Sequence, residues 1–172
     1  MSISVLLLLS AGYGQKIRQV AVSGEVSPLS ESCISQMQYR LKNQSDASNW
    51  PTQLNQCMPM QELPQLDCRF LGRWSQHNEQ ISHTTYLSQF DANGRYKVTD
   101  PFSDSPREYL GYWAIWQNKL VWFSEHSLDP FADANPIVSI SKNTIVIRET
   151  NGSKTTLRRQ DNEPAVHCPA SN

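Results

Sequence analysis

The spacing of apolar side chains changes period near Arg69: it is helical before that point and alternating after it. In the first part, Ile34, Met37 and Leu41 fall on one face of a helix, with Cys33 beside them, behind a start signal at 28–31. A polar loop at 43–49 follows. Trp50-Pro51 then opens a second, shorter helix with Leu54, Cys57 and Met58 on one side. The stretch 58–66, which contains Pro59 and Pro64, reads as a linker. From Arg69 to Gln160 the chain breaks into eight short strand-like runs, at about 70–77, 84–91, 95–99, 108–117, 119–126, 136–141, 144–149 and 153–159.

The turns between the runs set their register. Asp91-Ala92-Asn93-Gly94 suits a three-residue hairpin loop with Gly94 in the left-handed conformation, which pairs Phe90 with Tyr96 and Ser88 with Val98. Asn118 lies in a tight turn between Trp116 and Leu120. Asn151-Gly152 is a two-residue hairpin signal that sets Glu149 opposite Lys154, and opposite charges across a pair of strands agree with it. Eight regularly spaced antiparallel strands predict a mainly β fold, an up-and-down barrel, preceded by a short disulfide-linked helical segment.

The hairpin from Tyr109 to Glu125 is the densest apolar stretch. A two-residue turn near Asn118 puts Tyr109, Trp113, Ile115, Leu120 and Trp122 on one face, which carries no charge and predicts the barrel interior. The opposite face, with Leu110, Tyr112, Trp116, Val121 and Phe123, is too apolar to be left bare. The helices bearing Ile34, Met37 and Leu41 are one candidate cover. A homodimer or a protein partner on the Tyr112/Trp116/Phe123 face is another.

Composition narrows the class. A chain of 172 residues suits one domain with an appendage. Mean hydropathy is −0.53, so the five Trp, six Tyr and five Phe carry much of the burial. The net charge of −1 excludes generic nucleic-acid binding. Residues 100–135 are acid-rich and 136–160 base-rich, a pattern read first as solvated strand edges and second as an anion-binding patch. His77, His83, His126 and His167 are scattered, and the sequence predicts no metal, no cofactor and no enzymatic activity. Neither a Gly-x-Ser-x-Gly elbow nor a phosphate-binding Gly-rich loop occurs.

Two further features point to export. Ile3 to Leu9 is an apolar run followed by small residues Ser10, Ala11, Gly12 and Gly14, as in a secretory signal; a buried first strand is the alternative. The run is too short for a membrane span. Cys33, Cys57, Cys68 and Cys168 are even in number and lack the close pairing of zinc ligands. Two disulfides fit better, Cys33–Cys57 closing the helical hairpin and Cys68–Cys168 tying the two ends of the barrel. The expected organisation is a signal peptide at 1–14, a helical appendage and linker at 15–66, and the barrel with a short tail at 67–172, in a periplasmic or secreted protein.

Gly72-Arg73-Trp74 on the first strand, the eight-strand meander and the basic pair ending the last strand resemble the lipocalin pattern. The runs Phe70-Leu71-Gly72-Arg73-Trp74 and Gln89-Phe90-Asp91-Ala92-Asn93-Gly94-Arg95-Tyr96 are similar to small bacterial lipocalin-like domains. The resemblance implies that Trp74 closes one end of the barrel under an Arg from the last strand. Arg158 or Arg159 matches that Arg; alternation leaves the choice open, with Arg158 the one carried forward. It also permits a small apolar or amphipathic ligand. The charge-free aromatic face predicts Tyr86, Phe90, Tyr96, Trp113, Ile115 and Trp122 as its lining. Strands this short also suit a small or filled interior, and an envelope interaction or inhibitor module, using the Tyr112/Trp116/Phe123 face or the loop at 101–106, is the second reading.

Overall fold

The computed structural model describes residues 28–81, 85–100 and 107–160. The expected signal peptide, the loop at 101–106 and Cys168 lie outside the described residues. Helix α1 spans Pro28–Lys42 and α2 spans Trp50–Cys57; a single 3-10 turn at Cys68–Phe70 leads into the strands. These are β1 (Gly72–Asn78), β2 (Thr85–Phe90), β3 (Arg95–Asp100), β4 (Arg107–Trp116), β5 (Lys119–Ser124), β6 (Ala134–Ile140), β7 (Thr144–Arg148) and β8 (Lys154–Arg159). Each strand pairs antiparallel with the next, and β1 pairs with β8, so the sheet closes into a barrel without an open edge.

The turns fix the register as the sequence predicts at two places. Asp91 and Arg95 close the β2–β3 loop with Gly94 at φ +80°, so Phe90 faces Tyr96 and Ser88 faces Val98. Gly94 is needed twice over, because a Cβ there would lie 2.9 Å from the Ala47 carbonyl oxygen. Gln117 (φ 49°) and Asn118 (φ 58°) are both left-handed, which makes the β4–β5 connection a two-residue turn of the kind favoured by strand twist. The β7–β8 hairpin differs from expectation. Glu149 pairs with Ser153 across a three-residue loop ending in Gly152 (φ +88°), so Lys154 stands opposite Arg148 rather than Glu149. Asn-Gly fits either loop length, and the favourable charge pair pointed to the wrong one.

Two cores lie on the two faces of the sheet. Inside the barrel, Phe70, Trp74, Phe90, Trp113, Leu120, Ile145, Ile147 and Leu157 are buried together. Outside, α1 and α2 lie against β4 and β5: Ile34, Met37, Leu41, Trp50 and Leu54 bury Tyr112, Ala114, Val121 and Phe123. The apolar outer face is therefore covered by the chain's own helices. Tyr112 and Phe123 are fully buried and Trp116 packs on the same cluster, which corrects the expectation of a partner or homodimer on this face. The covering is specific as well as apolar. β4 outruns β3, and its surplus edge is met by a bridge between Gln65 and Ile115 and by the Trp50 indole. From β3, the Arg95 guanidinium donates to the Leu41 and Gln44 carbonyl oxygens at 2.6 and 2.9 Å, capping the C-terminus of α1.

Cys33 and Cys57 form the expected disulfide between α1 and α2, with Cα atoms 5.5 Å apart. Cys68 is also disulfide-bonded.

Candidate functional site

The barrel is closed at one end and open at the other. At the closed end Trp74 is fully buried and donates its indole N–H to the Phe70 carbonyl oxygen at 2.7 Å. Arg159 lies over the Trp74 ring with its guanidinium carbon 4.1 Å from the centroid. It also donates to the Leu71, Arg69 and Lys142 carbonyl oxygens at 2.7, 3.0 and 3.1 Å, sealing that end. The closing Arg is therefore Arg159, not Arg158. Leu157 points inward, so alternation sends Arg159 in and Arg158 out to solvent, opposite Ser75 and Thr144. Gly72, at φ +106°, begins β1 opposite Phe90.

Above this plug sits a packed aromatic layer. Phe90 contacts Phe70, Trp113 and Trp122 with ring centroids 6.0, 5.3 and 5.2 Å apart. Trp113 is fully buried, and its indole N–H is taken by the Asp91 carbonyl oxygen at 3.0 Å. Of the predicted lining residues, Phe90 and Trp113 belong to this floor, and Ile115 packs against the same cluster, so these three do not face a cavity. They point inward as predicted but lie too deep.

A cavity of about 370 Å³ opens above the floor, toward the mouth of the barrel. Tyr86, Tyr96 and Trp122 line it as predicted, joined by Tyr109 and Val98. The Tyr96 and Trp122 rings meet edge to face at 5.4 Å. Trp122 is only 8% exposed, and its indole N–H has no partner among the described residues. The remaining wall is polar: Gln76, Ser124, Asp133, Asn135 and Glu149. Sequence reasoning missed these five. The signal was present along β7 and the residue after it, where Ile145, Ile147 and Glu149 alternate in step, and in β6, where Asn135 and Ile137 do.

The polar wall has a defined arrangement. Asn135 is 1% exposed and donates its amide to an Asp133 carboxylate oxygen at 2.7 Å; its own Oδ1 is buried without a hydrogen-bond partner. Asn135 and Glu149 each lie two residues beyond Ile137 and Ile147, the last β6–β7 pair, and both line the cavity. Burial pushes the Glu149 carboxyl above its ordinary range; a hydrogen bond from Thr155 partly opposes this and the Asp133 charge adds to it. Burial, with the charges of Asp133 and Glu125, likewise raises the Tyr96 phenol, which stays protonated at neutral pH. Among the described residues, Asp133 and Glu149 form no ion pair and no Lys, Arg or His lines the cavity. No cluster of three or more His, Cys, Asp and Glu that could hold a metal occurs among the described residues.

No family model and no curated protein matches the chain. Among solved structures, the chain is similar to a lipocalin-like protein from Bacteroides uniformis ATCC 8492, with 12% identity and a TM-score of 0.43 over 54% of this chain and 99% of that one. The fold itself is a closed eight-stranded up-and-down antiparallel barrel, as its strand order shows directly.

Proposed function

We propose that the protein is a periplasmic or secreted binding protein that holds a small amphipathic molecule in the mouth of its barrel without turning it over. The observation that carries this reading is the cavity of about 370 Å³ set on a floor of packed aromatics. Its size falls in the range of small-molecule sites, roughly 300–1,000 Å³. Its walls combine four aromatic rings with a few polar groups held by the sheet, which is how a preformed binding site is built. The filled lower half limits the ligand: a long acyl chain does not fit beneath Trp122, because Phe90, Trp113 and Trp74 occupy that space. Export is supported by the Cys33–Cys57 disulfide, which persists in oxidising compartments. No described helix is long and apolar enough to cross a membrane.

Solvent extraction of the purified protein followed by mass spectrometry, together with titrations followed by Trp fluorescence, tests the proposal. Binding of small aromatic amphipaths with saturable quenching is expected, because Trp122 lies in the cavity wall. An empty extract together with no saturable response to any such compound overturns it.

A further inference from the structure

The mouth cavity has an acceptor-rich wall with two carboxylates, and no positive side chain lines it among the described residues. Asp133 and Glu149 both line it. Burial of the half-buried Glu149 carboxyl, and the neighbouring Asp133 charge, both raise the cost of a negative charge on Glu149. A carboxylate pair alone is commonly just solvated, and a second, independent feature decides its meaning here. The Asn135 side chain lines the same cavity at 1% exposure, with its amide nitrogen committed to Asp133 and its Oδ1 without a donor among the described residues. A buried amide oxygen left unpaired costs free energy, which a donor in the cavity recovers once a small turn of the Asn135 side chain brings the screened Oδ1 to it. Tyr86, Tyr96, Tyr109 and Trp122 line the rest of the cavity, and aromatic ring faces attract a cation.

Building on the binding-protein reading above, we propose that the cavity selects a protonated primary or secondary amine on a small apolar body: Asp133 and Glu149 supply the counter-charge, Asn135 Oδ1 accepts an N–H, and the four rings enclose the apolar part. Anionic amphipaths are disfavoured by both carboxylates. A bare metal ion makes no use of the aromatic wall. A quaternary ammonium satisfies the charges and the rings but has no N–H for Asn135, so it ranks below the amine. The cavity volume equals that of about twelve waters at roughly 30 Å³ each, enough for one substituted aromatic ring with a short aminoalkyl arm.

The test uses the full protein and four probes of one shape: 2-phenylethylamine, its N,N,N-trimethyl derivative, 2-phenylethanol and 3-phenylpropionate, measured by calorimetry at pH 7. The expected order is amine, then trimethylammonium, then alcohol, then carboxylate, with the amine favoured over the alcohol by about tenfold or more, the scale of one charge-assisted contact. Glu149→Gln and Asp133→Asn each reduce the amine-to-alcohol ratio toward one. Asp133 is exposed, so its variant folds even if Glu149→Gln perturbs the β7–β8 hairpin. Equal affinity for amine and alcohol overturns the amine proposal while leaving the binding-protein reading intact. Failure of all four probes, with no other small amphipath bound, overturns both. Trimethylammonium binding equal to the amine removes the Asn135 part and with it the proposal as stated.

Discussion

Trp50 donates its indole N–H to the Trp113 carbonyl oxygen at 3.0 Å, joining the helical hairpin to β4, which like β5 contributes one face to each core. The Trp113 backbone N–H is taken by the Gly94 carbonyl, so this edge of β4 is completed by a turn on one bond and a helix side chain on the next. The Trp50 ring also packs on Phe123 and Tyr112, with centroids 5.8 and 6.5 Å apart. Trp50→Phe keeps most of the packing but leaves a buried carbonyl unpaired. It is expected to cost about 1–3 kcal/mol, read as a lower urea midpoint with an unchanged slope. A variant as stable as the parent contradicts the assignment of this bond as structural.

The closing role of Arg159 separates two adjacent residues of one type. Arg159→Ala removes the stack on Trp74 and three carbonyl contacts, and is expected to cost about 2–3 kcal/mol, the scale of hydrogen bonds to a charged group plus a cation–π contact. Arg158→Ala changes an exposed outward side chain and is expected to stay within about 0.5 kcal/mol. Paired thermal melts give the comparison directly. Equal effects of the two substitutions are incompatible with the geometry of the closed end.

Much of this arrangement is legible in the sequence because local chemistry fixes it. Gly94 demands a left-handed residue and thereby a loop length, and Asn118 does the same for the β4–β5 turn. Alternation from Tyr109 to Glu125 separates the two faces, and helical spacing at Ile34, Met37 and Leu41 identifies what covers the outer one. What alternation does not carry is depth along the barrel axis. Phe90, Trp113 and Trp122 share an inward direction, yet only Trp122 reaches the cavity, because strand tilt and stagger set each residue's height and these emerge only on closure. Asp133, Asn135 and Glu149 were hidden for a related reason: polar residues at strand ends look the same in sequence whether they face solvent or a barrel mouth. The Arg158/Arg159 choice needed the inward direction of Leu157.

Gly111 controls the shape of the cavity from the neighbouring strand. It lies opposite Tyr96, and a Cβ there would stand 2.6 Å from the Tyr96 ring and collide with the Phe123 carbonyl. Gly111→Ala must push the backbone or displace Tyr96, one of the four rings of the wall. A loss of about 1–3 kcal/mol is expected from overpacking, together with weakened binding of aromatic amphipaths. Unchanged stability with unchanged binding shows that Tyr96 can move without consequence.

Alkaline pH probes the outer core through Tyr112. Its ring is fully buried, and its hydroxyl meets no partner in good hydrogen-bonding geometry among the described residues, with the Arg95 guanidinium its polar neighbour over the ring. Burial chiefly, with the Glu125 charge, pushes its pKa up to about 12, and the nearby Arg95 guanidinium offsets part of this. An unfolded Tyr titrates near about 10, so between those values the folded protein holds a proton that the unfolded chain releases. Stability attributable to this group is therefore complete below about pH 10 and falls as pH rises toward about 12. Tyr96 is raised as well, by burial and by Asp133 and Glu125, and adds to the same decline. Tyr112→Phe is expected to be neutral or mildly stabilising at pH 7, because it deletes an unpaired buried hydroxyl. It also makes the alkaline decline shallower, leaving the part due to Tyr96. Denaturant melts of parent and variant at pH 7 and across the alkaline range measure both effects, and a Tyr112→Phe protein with the parent's full alkaline slope rules out Tyr112 as its source.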